Sequence, residues 1–223
     1  MKKILILISI IIPFASCNIK NNSTNFVSTL DSTLQIKVDS MLKNRLSELD
    51  ATSGQVIVME VQTGEIKASA GTELKPQESG LIRTASLLAA LETKTIQLSD
   101  TIDVGNGTLI IGKDTLLDHN WYRGGYGKIT IQQGFGLSSN IANYKTAKHI
   151  FKDAQAFAKA LTKYGYQVKD TSLVYNPSGY GVFTTPLQNL TFYNAIAQGT
   201  IGDKAAVNDI KRALEYTVTD GLA

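Results

Sequence analysis

The sequence predicts an α/β fold of the α+β kind: an antiparallel sheet centred on one hairpin and flanked by helices. Three observations carry this. Two strand-like runs, QVIVMEV and GEIKASA, meet at Gln62-Thr63-Gly64, a link short enough for a hairpin. Most of the chain beyond the hairpin carries helical spacing. One of those segments, TTPLQNLTFYNAIAQGT, is punctuated as a helix at both ends. A strand pair followed mainly by helices is an α+β order.

In chain order the first element is a helix. Residues 33–49 place Leu34, Val38, Met41, Leu42, Arg45 and Leu49 at helical spacing, all apolar except Arg45. The hairpin comes next. Residues 80–92 end in Leu87, Leu88, Ala89, Ala90, Leu91 and Glu92, all strong helix formers. Residues 101–130 are rich in Gly and Asp with short β-like pieces such as GTLIIG, which reads as irregular structure. Residues 139–150 and 154–164 read as helices, the second stopped by Gly165. Thr185 can cap the punctuated helix, Pro186 suits its first position, and Gln188 completes a capping-box pattern. A last helix spans about 203–217.

Composition sets outer bounds. With 43% apolar residues in a chain of 223, the protein can build a core. A net charge of +3 with mixed signs gives no reason to expect a nucleic-acid partner. His119, His149 and a single cysteine are too few to expect a metal site, and no cofactor is implied.

Residues 1–17 read as a targeting segment. Lys2 and Lys3 precede an apolar run, Ile4 to Phe14, that is too short to span a bilayer as a helix. The run ends in FASC, where a lipoprotein signal would be cut, leaving Cys17 to carry lipid; a plain secretory signal cut nearby is the alternative. Residues 18–27 are polar and read as a tether. The domain proper is expected over residues 28–223, outside the cytoplasm.

Five stretches in order resemble one family. They are TLDSTLQ, GQVIVMEVQTGEIKA, DTIDVGNGTLIIGKDTLLDHN, GGYGKITIQQGFGLSSNIA and GYGVFTTPLQNLTFYNAIAQG. Together they resemble the transpeptidase domain of a class B penicillin-binding protein, closest to the septal, cell-division type. The resemblance implies a β-lactamase/transpeptidase-like fold and a serine ester chemistry on peptidoglycan stem peptides.

The same resemblance places the chemistry, and there the sequence departs from it. The family's first motif is Ser-x-x-Lys, where a desolvated lysine takes the serine's proton. Aligning LAALE puts Gly80 at the serine and Arg83 at the lysine. Glycine has nothing to acylate, and arginine stays protonated. Slipping the frame by one gives Ser79 but puts Ile82 at the base position. An intact Ser-x-x-Lys at Ser40–Lys43 falls inside the first helix, where the family has no chemistry. The second motif, Ser-x-Asn, is intact as Ser138-Ser139-Asn140: Ser138 would help move the proton and Asn140 would hold the substrate amide. The same residues also read as an ordinary helix start. His119, in DHN, reads as a loop contact. The third motif, Lys-Thr-Gly or Lys-Ser-Gly, does not occur after LEYTVTDGLA, so the sheet is expected to be incomplete, with an open edge and with low stability or self-association.

The expectation is therefore a transpeptidase-like domain that does not react with β-lactams, even if Gly80→Ser and Arg83→Lys are introduced together. The alternatives are the N-terminal fragment of a disrupted or split transpeptidase gene, and a non-catalytic envelope interaction protein. The implied partners are peptidoglycan stem peptides, cell-division envelope proteins and, through a lipid anchor, the membrane.

Overall fold

The computed structural model describes residues 28–169 and 172–222. The first helix, α1 (Ser32–Glu48), is capped by Asp31, whose side chain accepts from the Leu34 N–H at 2.9 Å. It lies on a hairpin of β1 (Gln55–Met59) and β2 (Ile66–Gly71), paired antiparallel from Gln55↔Gly71 to Met59↔Ile66. Leu34, Val38 and Leu42 pack on Val56, Val58, Ala68 and Ala70. The helical stripe read from the sequence is corrected here, since Met41 (70% exposed) and Leu49 (61% exposed) face solvent. A two-stranded hairpin is narrow, so only one i, i+4 ridge of α1 reaches it. That ridge continues to Leu46, which with Leu42 lies against Gly54. Among the described residues β1 pairs with β2 alone, leaving its other edge open.

Strand β3 (Gln77–Glu78) leads through Ser79 and Gly80 into α2 (Ile82–Leu91). Every residue of α2 is buried except Arg83. A helix apolar on all sides belongs at the centre of a domain, and α2 sits there.

Residues 101–130 differ from the irregular structure expected. They form β4 (Thr101–Gly105), β5 (Thr108–Ile111), β6 (Asp114–Leu117) and β7 (Gly127–Thr130), with β4 paired to β7 and β5 to β6. Ile111 pairs with Asp114, so Gly112-Lys113 is a two-residue turn. Gly112 has φ +62°, the left-handed conformation such turns demand. The glycines mark the turns of short ladders, not the absence of order.

Next come α3 (Ile131–Gly136), α4 (Asn140–Ile150) and α5 (Ala154–Thr162), then β8 (Phe183–Thr184), which pairs with β3. The last two helices are α6 (Pro186–Gln198) and α7 (Lys204–Thr219). Helix α3 was not expected from the sequence, although Thr130 and Gln133 form a full capping box at its start. On α6 the box is only half made. Thr185 accepts from the Gln188 N–H at 3.1 Å, but the Gln188 side chain donates instead to the Gly165 carbonyl. Gly199 ends α6 at φ +72° as the sequence implied. The helices close around α2 in one core that includes Leu88, Phe157, Leu161, Tyr166, Phe192 and Ile210.

Two tyrosines of that core set an alkaline limit. Tyr164 donates its hydroxyl to the Glu92 carboxylate and Tyr166 donates to Asn189. Burial pushes both phenols well above the usual tyrosine range. A phenol with a raised folded-state pKa contributes stability that is complete below its unfolded value, about 10, and is lost as pH rises beyond it. Tyrosinate absorbance and circular dichroism followed together should show these two ionising only as the chain unfolds. Full tyrosinate absorbance in a protein that is still folded would contradict this.

Candidate functional site

Gly80 is exposed, and beyond its chain neighbours Ser79 and Leu81 a Cβ built on it would have a single neighbour within 4 Å, the Arg83 Nε at 3.9 Å. Arg83 stands in the first turn of α2 and extends its side chain to the loop before α4. Its Nη1 donates to the Ser138 carbonyl at 2.8 Å and its Nη2 to the Asn140 Oδ1 at 2.7 Å. The four residues singled out from the sequence, Gly80, Arg83, Ser138 and Asn140, therefore lie together. Among the described residues no carboxylate forms an ion pair with Arg83. Desolvation pulls its pKa below the usual arginine range, and the charges of Tyr180 and Asp118 oppose this more weakly. An arginine so placed remains a cation and a donor.

The loop that presents Ser138 is held from beneath. Ser138 is exposed and sits at φ +53°, a conformation uncommon for a residue with a side chain. Ser139, fully buried, is the residue that caps α4, so the motif is also the helix start its residues suggested. The Ser139 hydroxyl donates to Asp118 Oδ2 at 2.7 Å, while Asp118 Oδ1 accepts from the Ile141 N–H at 3.1 Å. Asn140 donates its amide to the Leu117 carbonyl at 2.8 Å. Asp118 is wholly buried and was missed in the sequence, where its neighbour His119 drew notice. His119 itself is a loop contact, its Nε2 at 2.9 Å from the Tyr126 hydroxyl. The available signal for Asp118 was an acid directly after the β-like run DTLL.

Two grooves border the cluster, one through Asn140 and the other through Ser79 and Leu81. One, of about 690 Å³, is lined by Glu78, Leu117, Asn140, Tyr180 and Phe183 among others. The other, of about 610 Å³, is lined by Ile57, Ser79, Leu81, Pro186 and Tyr193 among others. The Ser79 hydroxyl accepts from the Leu81 N–H at 3.3 Å, and Ile82, the residue three beyond it, is fully buried and apolar. Ser40 and Lys43 both lie on the solvent side of α1. Cys17, together with the proposed signal and tether, lies outside the described residues. Among the described residues no three His, Cys, Asp or Glu side chains gather where they could hold a metal ion, and no helix is long and apolar enough to cross a membrane.

Helices wrapped on short antiparallel ladders, with a Ser-x-Asn turn facing the first turn of a buried helix, define a domain of the transpeptidase class. The sequence model of the penicillin binding protein transpeptidase domain matches residues 54–219, and the chain belongs to that family. Solved structures share its fold, two of them from Burkholderia species. One, described as a peptidoglycan glycosyltransferase from Burkholderia ambifaria, superposes with a TM-score of 0.77 at 19% identity, covering 88% of this chain and 76% of that one. The other is the apo transpeptidase domain of Burkholderia pseudomallei penicillin-binding protein 3, with a TM-score of 0.77 at 18% identity, covering 87% of this chain and 71% of that one. No curated protein sequence gives a significant match.

Proposed function

We propose that this protein is a non-acylating member of the family, a transpeptidase-like domain of the septal, cell-division type that engages peptidoglycan stem peptides without cutting them. The observation that carries the reading is the pair of hydrogen bonds from Arg83 to Ser138 and Asn140. Gly80 offers no hydroxyl. Arg83 offers no lone pair to take a proton. Its Nη2 takes one of the two lone pairs of the Asn140 Oδ1, the acceptor a substrate amide would use. Nucleophile and base are thus altered together, and the amide acceptor is left with one lone pair. A fluorescent penicillin should leave no adduct that survives denaturation. A stoichiometric adduct on the native chain would overturn the reading, and its position would name the residue responsible.

The same proposal divides the chain into a signal over residues 1–17, a tether over 18–27 and the domain over 28–223, with lipid on Cys17 holding it to the membrane on the periplasmic side of the envelope. The run Ile4–Phe14, followed by Ala15-Ser16-Cys17, supports this. Labelling with a radioactive lipid precursor should mark the native protein and not Cys17→Ser. Equal labelling of both would reject the anchor.

A further inference from the structure

We infer that Gly80 and Arg83 together form a carboxylate-binding site, taking the free carboxylate of a short peptide or small organic acid at the position where a side chain of residue 80 would stand. The inference rests on the non-acylating reading of the same site and adds what the altered site would hold.

The geometry supplies both a receptor and a place for the ligand. Of the five guanidinium N–H groups, the protein uses one on Nη1 and one on Nη2, both on neutral oxygens. The Nε–H donates to nothing among the described residues. It lies 3.9 Å from the point where a Cβ of residue 80 would be, and apart from Gly80 and its chain neighbours Ser79 and Leu81 no other atom falls within 4 Å of that point. An oxygen entering there can approach Nε to hydrogen-bond distance. A second oxygen of the same group can reach a remaining Nη–H, which is the paired geometry that a planar fork favours with carboxylate.

The charge balance favours the same class. The half-buried Arg83 has no ion-pair partner among the described residues, and a cation out of bulk water gains most from an anion. Asp118, the nearest buried acid, is occupied by Ser139 and Ile141. Glu78, which lines the neighbouring groove, has a carboxylate oxygen accepting from the Gly181 N–H and adds negative potential there. A singly charged carboxylate tolerates that acid better than a doubly charged phosphate does. The about 690 Å³ groove beside Asn140, with Leu117, Tyr180 and Phe183 on its walls, has room for the rest of a short peptide.

The test uses the full chain with the arginine Nε sites labelled for NMR. The probes are acetate, N-acetyl-D-alanyl-D-alanine, the C-terminal amide of that dipeptide, and inorganic phosphate. The expected result is a saturable shift of the Arg83 Nε–H with the free acid and no saturable shift with the amide. Acetate saturating the same resonance would assign the site to small acids generally, and the dipeptide acid alone would assign it to peptides. Gly80→Leu fills the space while leaving the guanidinium in place. Gly80 is not in the left-handed region and has an open face, so this variant should fold. It is expected to weaken binding about tenfold or more. Equal shifts with acid and amide, no shift with any carboxylate, a stronger response to phosphate, or unchanged binding in Gly80→Leu would each overturn the inference. None of these outcomes depends on covalent labelling by penicillin, so a failure of this site is distinguishable from a failure of the non-acylating reading on which it rests.

Discussion

The Gly80→Ser protein is expected to give no adduct with a fluorescent penicillin, the same result expected of the native chain. The substitution supplies a hydroxyl at residue 80, yet on the proposed reading it restores no reaction. The new Cβ would stand 3.9 Å from the Arg83 Nε, so the hydroxyl oxygen would accept a hydrogen bond from a cation. A donor there can hold the oxygen but cannot remove its proton, and acylation needs that proton to leave as the bond to carbonyl carbon forms. In serine enzymes whose catalytic group acts as a unit, loss of one member costs about four to six powers of ten in rate. Over an incubation of ordinary length that is the difference between full labelling and none. The substitution itself is mild, because residue 80 is exposed and the space is open. A folded Gly80→Ser protein that labels stoichiometrically would show that some group other than residue 83 can act as base. The first place to search would be the groove lined by Ser79 and Lys75.

Legibility in the sequence was a matter of range. The hairpin, the caps at Thr185 and Gly199, and the juxtaposition of Gly80 and Arg83 are local patterns, readable within a few residues of chain. The meeting of Arg83 with Ser138 and Asn140 was implied by the family resemblance and not by spacing, since 55 and 57 residues separate them. Asp118 had only the weak signal of an acid after DTLL, and nothing near it in sequence says that its partners are Ser139 and Ile141. The ladders of residues 101–130 were missed for a different reason. Their strands are four or five residues long and joined by left-handed glycines, so composition speaks of turns before it speaks of strands. In α1 the periodicity was right and the face was set by something periodicity cannot supply, the narrowness of the hairpin beneath it. Helix α3, with a full capping box, shows the opposite case: the local signal was present, but six residues offer too little periodic pattern to flag a helix.

Asp118→Ala is expected to be the most destabilising single change near the site. Asp118 is fully buried and both of its oxygens are used, one by the Ser139 hydroxyl and one by the Ile141 N–H. Removing the carboxylate leaves the Ile141 N–H without its acceptor in a place water reaches poorly. The Ser139 hydroxyl loses its acceptor too, while still capping α4 through the Ala142 N–H at 3.0 Å. Each buried group left unpaired costs about 1–3 kcal/mol, and bonds to an ionised acceptor lie toward the upper end, so a loss of about 3–4 kcal/mol is expected. For a domain of this size each kcal/mol lowers Tm by about 2–4 °C, which puts the shift at about 6–16 °C. Asp118→Asn should cost less, because one amide oxygen can still accept from Ile141 and the amide N–H can donate to the Ser139 oxygen. The loop carrying Ser138 at φ +53° depends on the same anchor, so hydrogen exchange at Ile141 and Ala142 should quicken more than exchange in α5, which makes no bond to Asp118. Two results would count against the argument: an Asp118→Ala protein that melts with the native one, and one whose faster exchange is spread evenly over the chain. Either would mean that Ser139 and Ile141 find other partners, and that the bonds of Arg83 to Ser138 and Asn140 and of Asn140 to Leu117 hold the loop without Asp118.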